Sequence, residues 1–193
     1  LGLDPDSAIV SIVAVLREEK NHEMFLAVAA ELVRSNRRMT FLIVGDGPRK
    51  DHLHRRVEQL GLSDHIQFLG MRHDIPRILA ASTVSILTSP REGSANILIE
   101  SMAAGVPIVT TDFAGVDDMI QDGREGFVVP FNDVPAMTRR VGELLDQPVL
   151  REEMGRHGKS TARSNFSMAR MTNDLLAIYR KQLLARGVPC SEN

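Results

Sequence analysis

Pro90-Arg91-Glu92-Gly93-Ser94-Ala95-Asn96 opens into Ile97-Leu98-Ile99-Glu100-Ser101-Met102-Ala103, and Ala104-Gly105-Val106-Pro107-Ile108-Val109-Thr110 follows. The middle of this stretch reads as a helix from about Asn96 to Ala104. Gly105 is a usual left-handed terminator, and Pro107 bars the helix from continuing into Ile108 to Thr110, which reads as a strand. Upstream, Val84 to Leu87 is an apolar run of strand length. Strand, turn, helix and strand in succession make one β-α-β unit. In an open α/β sheet, ligands bind in the crevice beyond the carboxyl ends of the strands. Glu92 and Glu100 therefore bracket the mouth of such a crevice.

The same alternation extends in both directions. Ile9 to Val15 reads as a buried strand, His22 to Ser35 as a helix, and Thr40 to Val44 as a strand closed by Gly45-Asp46-Gly47-Pro48. A helix from Arg49 to Leu60 follows, then a short strand from Ile66 to Leu69. Asp74 is expected to cap the next helix, with Pro76 in its first turn. Gly126 to Val129 closes the sheet. From Asp133 onward the pattern is helical, with helices expected at 134–146, 149–163 and 167–185, the first capped by Asp133 and the third by Ser167. Strands buried on both faces and joined by helices imply an α/β, Rossmann-like, doubly wound parallel sheet with C-terminal helices.

Composition narrows the partners. With 43% hydrophobic and 25% charged residues the chain is an ordinary globular one, and a formal charge of −2 gives no general attraction to nucleic acid. A small-molecule partner is expected. The one cysteine, Cys190, lies in a polar tail, which excludes a disulfide framework and points to the cytoplasm. No apolar run reaches the roughly 18 to 20 residues that span a bilayer. Leu1-Gly2-Leu3-Asp4-Pro5-Asp6 reads as a linker.

Three constellations lie where strands end. The turn from Glu92 to Asn96 precedes a helix whose first amides and partial positive charge suit a phosphate, and the small Gly93, Ser94 and Ala95 let a ligand approach the backbone. Glu100 lies one turn beyond Asn96 on the same face, where its carboxylate can accept bonds from the hydroxyls of a sugar or ribose. Alternatively, Glu92 merely caps the helix and Glu100 is solvated. Lys20, after the first strand, faces the same crevice and can pair with a phosphate, or is a surface lysine. Gly45 and Gly47 permit a tight turn beside a ligand, but Lys50 stands where the dinucleotide fingerprint needs its third glycine, which argues against NAD. The six histidines show no metal-binding spacing and read as structural or solvated, and neither a nucleophile elbow nor a P-loop occurs.

Taken in order, these segments resemble the C-terminal, donor-binding half of a retaining glycosyltransferase of the GT-B fold, family 4 (glycosyl transferases group 1). The resemblance covers nearly the whole chain. It is carried by the Lys20 segment, Gly45-Asp46-Gly47-Pro48, Phe68-Leu69-Gly70, Glu92 to Glu100 with Ser101 to Pro107, and Asp122-Gly123 with Gly126 to Pro130. It implies that Glu100 binds the ribose of a nucleotide and Glu92 the hydroxyls of the transferred sugar, while Lys20 pairs with the diphosphate. Backbone amides from Ser94 to Ile97, spanning Ala95 and Asn96, would cradle the distal phosphate and sugar. Main-chain groups near Met71 and Arg72 would line the base pocket. The donor implied is a nucleotide sugar, held without cofactor or obligatory metal because protein cations and the helix dipole take the leaving charge.

Two departures stand out. The arginine that the family often places five residues before the lysine is Val15, so Arg17, Arg72 or Arg91 would have to supply the second cation, with Arg17 and Arg91 favoured by proximity. Position 95, often glycine, is Ala. The resemblance further implies a missing N-terminal acceptor domain of the same enzyme. Residues 1–8 would be the interdomain linker, and the helix at 167–185 an apolar surface turned toward that missing half, which would also carry any peripheral membrane contact.

Overall fold

The computed structural model describes Asp4 and residues 7–35, 38–93 and 95–186. Most of the expected linker, Ser94 and the tail with Cys190 lie outside the described residues. Six strands, β1 (Ala8–Val13), β2 (Met39–Val44), β3 (Ile66–Gly70), β4 (Val84–Leu87), β5 (Ile108–Thr111) and β6 (Gly126–Val129), form one sheet in the order β3-β2-β1-β4-β5-β6. Every pairing is parallel. Helices α1 (His22–Val33), α2 (Lys50–Gln59), α3 (Ile75–Ala81), α4 (Asn96–Ala104), α5 (Val134–Asp146), α6 (Pro148–Asn165) and α7 (Met168–Ala185) complete the chain.

Alternation along the strands explains why both faces are covered. Val10, Ile12, Phe41, Ile43, Ile86 and Val109 join one apolar cluster with residues of α1, α2 and α5, where Phe25 meets Phe41 edge to face at 6.0 Å. Their neighbours in sequence point the other way. Ile9, Leu42 and Val44 pack with Ile78 of α3, and Leu87 and Ile108 with Leu98 and Met102 of α4. Burying each such side chain stabilises the fold by roughly 1.5 to 3 kcal/mol, which is why continuous apolar runs, rather than alternating ones, mark these strands. Together the faces make the doubly wound α/β sandwich expected.

The ends of elements differ from expectation where backbone contacts take over. β1 stops at Val13 rather than Val15, although Ala14 and Leu16 still donate to the carbonyls of Val44 and Asp46. The loop after β2 lies against them so closely that a side chain on Gly45 (φ 136°) would strike the Ala14 carbonyl oxygen. Asp74 occupies the N-cap of α3 but accepts no capping bond, because its carboxylate is taken by Arg72. Asp133 and Ser167 do cap, accepting from the amides of Ala136 and Arg170. A 3-10 turn at Val116–Asp118 had no counterpart in the sequence reading. Among the described residues no helix is long and apolar enough to cross a membrane.

Candidate functional site

The strand order reverses between β1 and β4, and the loops leaving their carboxyl ends diverge to open a crevice. The first loop carries Lys20 on a 3-10 turn, Glu18–Lys20, and the second carries Glu92. Their side chains meet across the crevice. Lys20 Nζ donates to both oxygens of Glu92, at 2.7 and 2.8 Å, with the two side chains 21% and 7% exposed. Two buried hydroxyls set the loops. Thr88 Oγ1 donates to the Lys20 carbonyl at 2.7 Å, and Thr111 Oγ1 to the Ser89 carbonyl at 2.6 Å. An ion pair withdrawn from water gains little net stability, because desolvation offsets the attraction. A ligand offering a phosphate to the ammonium and hydroxyls to the carboxylate would replace both halves of the pair.

A cavity of about 390 Å³ lies beside it at the ends of β1 and β2. Val13, Val44, Ile75 and Ile97 give it apolar walls, and Glu100 and Arg72 supply opposite charges. Of the residues singled out from the sequence, the structure brings Gly45, Met71, Arg72, Ile97 and Glu100 together here. Glu100 is exposed, and among the described residues no hydrogen bond or ion pair takes its carboxylate. The N-cap of α4 is Ala95, whose methyl side chain makes no hydrogen bond to the first turn. Glu92 is bound to Lys20 instead, so it is not the cap of that helix. An uncapped helix start keeps its partial positive charge available to an anion. Ser94 lies outside the described residues, and the neighbouring Gly93 has open space where a Cβ would stand.

Val15 lines the cavity as an apolar wall. The arginines weighed as replacement cations part ways. Arg17 is exposed, sits 3.9 Å from Glu19 and lines a second cavity of about 150 Å³ with Asn21, His22 and Arg49. Arg91 is exposed, and Arg72 alone of the three lines the larger cavity. His22 is buried at the start of α1 with no partner for either ring nitrogen among the described residues. Burial, then the positive charge of Arg49 and Lys20, pushes its pKa down to about 4, so it is neutral near pH 7. Thr88 and the cavity walls contributed by Val13 and Val44 carry no sequence signal beyond their place at strand ends, and Asp74 signals only a helix cap.

The family model described as glycosyl transferases group 1 matches residues 1–161. Alpha-D-kanosaminyltransferase of Streptomyces kanamyceticus is 35% identical over 182 residues, which are 93% of this chain and 47% of that protein. The UDP-Gal:alpha-D-GlcNAc-diphosphoundecaprenol alpha-1,3-galactosyltransferase of Escherichia coli is 27% identical over 93% of this chain and 47% of its own length. The crystal structure of Anabaena Alr3699/HepE in complex with UDP shares the fold, with a TM-score of 0.86 at 20% identity over 91% of this chain and 49% of that one. The chain spans about half the length of the curated relatives it matches.

Proposed function

The chain belongs to the glycosyl transferases group 1 family, with the sheet of one half of a GT-B fold, and on that premise we propose that it holds the donor of a hexosyltransferase. The donor is a nucleoside diphosphate sugar. The whole enzyme passes the hexosyl group, with retention of anomeric configuration, to a glycan, lipid or small-molecule acceptor. The observation that carries this reading is the Lys20–Glu92 pair facing the cavity that holds Glu100, at the ends of β1 and β4. UDP appears by name in the E. coli relative and in the Anabaena complex, which supports a nucleotide sugar here.

Each residue then has a definite task. The apolar walls and Arg72 take the nucleoside, and Glu100 accepts hydrogen bonds from the ribose hydroxyls. On donor binding Lys20 leaves Glu92 for the diphosphate, and Glu92 turns to hydroxyls of the sugar. The amides that open α4 bind the distal phosphate. As the glycosidic bond lengthens, negative charge grows on the leaving diphosphate and positive charge on the sugar ring. The ammonium and the helix start stabilise the first without an obligatory metal, and positioning carries more of the rate than proton transfer on this half. The acceptor is held by the N-terminal domain of the same enzyme, in the cytoplasm.

In the intact protein, Lys20→Ala is expected to lower kcat by about 100-fold, the scale seen on removing one preorganised donor from a developing anion. Glu92→Gln is expected to fall comparably, and the anomeric proton of the product, followed by NMR, should show retention. Wild-type rates in both variants, or an inverted product, would contradict the assignment. Val15 favours a second reading, a domain that binds nucleotide without transfer, because it removes one leaving-group cation. Binding of a nucleoside diphosphate without turnover of any sugar conjugate would select it.

A further inference from the structure

Arg72 and Asp74 form a planar, two-bond clamp at the rim of the nucleoside cavity. Arg72 Nε and Nη2 donate to the two oxygens of Asp74, each at 2.8 Å. The cost of this clamp is visible in α3, where Asp74 stands at the N-cap and its carbonyl accepts from Arg77 and Ile78, yet its side chain accepts no capping bond. A capping aspartate ordinarily stabilises the helix that it begins. The ion pair that replaces it is about one third exposed on both sides, 37% and 34%, and pairs so open to water contribute little to stability. Stability therefore does not account for the exchange. Orientation does, since a guanidinium held at two nitrogens cannot swing. The shared bonds also hold the Asp74 carboxyl below the usual carboxylate range, so the clamp stays ionised.

The clamp leaves Arg72 with both N–H groups of Nη1, one of Nη2 and the two faces of its plane. Among the described residues it is the one cation lining this cavity, whose other walls are mostly apolar with the carboxylates of Asp46 and Glu100. Resting on the donor-site reading above, we propose that Arg72, positioned by Asp74, reads the nucleobase of the donor and selects bases that present carbonyl oxygens, uracil or guanine, over adenine. A fixed fork of N–H donors matches carbonyl oxygens, whereas the amino edge of adenine sets donor against donor. The flat guanidinium also offers a surface on which a base can stack. Asp74 is a positioning residue, since it acts through Arg72.

Isothermal titration of the intact protein with UDP, GDP, ADP and inorganic pyrophosphate separates the base from the diphosphate. In wild type, UDP or GDP should bind at least about tenfold more tightly than ADP, a difference of about 1.4 kcal/mol. Arg72→Ala, Arg72→Lys and Asp74→Ala should each remove that preference and leave pyrophosphate affinity within about twofold, and the double variant Arg72→Ala/Asp74→Ala should be no weaker than Arg72→Ala alone. With substrate, Asp74→Ala should raise donor KM rather than lower kcat. Equal ADP and UDP binding in wild type, or variants that weaken pyrophosphate as much as UDP, would overturn the proposal while leaving the donor site standing. Failure of wild type to bind any of the nucleotides would overturn the donor-site reading and this one with it.

Discussion

Lys20 and Glu92 stand 72 residues apart in the chain and share two hydrogen bonds in the fold. Each was recognisable in the sequence by type and by its place after a strand, but their pairing was not, because nothing local connects the two loops. The same holds for Thr88, whose hydroxyl anchors the Lys20 carbonyl from the neighbouring strand end. His22 shows a third kind of long-range effect, a histidine left neutral by its surroundings. Its pKa is about 4 in the fold and near 6.5 in the unfolded chain, so between these values the unfolded chain binds the extra proton. Acid therefore favours unfolding across that window. The penalty is absent above pH 6.5, grows as pH falls and reaches about 3 kcal/mol near pH 4. Replacing His22 by Leu removes it. Urea denaturation of both proteins between pH 7 and pH 4 should show a steeper loss in wild type, and parallel losses would contradict a buried neutral ring.

At the scale of elements, the strands were the most legible part, because β1, β2, β4 and β5 are buried on both faces and so appear as largely apolar runs interrupted only by the small hydroxyl residues Ser11, Thr40, Ser85, Thr110 and Thr111. Helix packing was not legible. α6 crosses α4 through Gly155, Gly158 and Ala162, and a Cβ on Gly155 would strike the carbonyl oxygen of Gly105, the C-cap of α4. Read locally, Gly155 only weakens a helix; in the fold it lets α6 lie against the element that carries Glu100. Gly142, within α5, is the counterexample, with nothing inside 4 Å of an added Cβ. Gly155→Ala should accordingly destabilise by about 1 to 3 kcal/mol through overpacking against rigid backbone. Gly142→Ala should stabilise by about 0.5 to 1 kcal/mol through the usual helical preference for alanine. Chemical denaturation checks both, and equal effects would contradict the packing described. Asp74 belongs with Gly155 as a residue whose local preference, here for capping, gives way to a contact two residues away.

The whole molecule is asymmetric in its finish. Both sheet faces are closed, yet α7 buries none of its residues, and Met171, Leu175, Ile178 and Tyr179 repeat at three- and four-residue spacing on its exposed surface. Exposed apolar stripes of this kind mark interaction surfaces. Together with relatives twice as long, it supports the proposal that an N-terminal domain covers α7 and completes the cleft above the crevice. The catalytic account then divides cleanly, with donor chemistry on this chain and acceptor choice on the other half. What decides it is whether the crevice holds a nucleoside diphosphate through Glu100. Thermal unfolding of the protein with UDP, GDP and ADP, in wild type and Glu100→Ala, is the most direct test. A nucleotide at 100 times its Kd stabilises the native state by about 2.7 kcal/mol, which moves the melting temperature by several degrees. The account predicts such a shift for at least one nucleotide in wild type and its loss at the same concentration in Glu100→Ala. An equal shift in both proteins, or none in wild type at millimolar nucleotide, would contradict it.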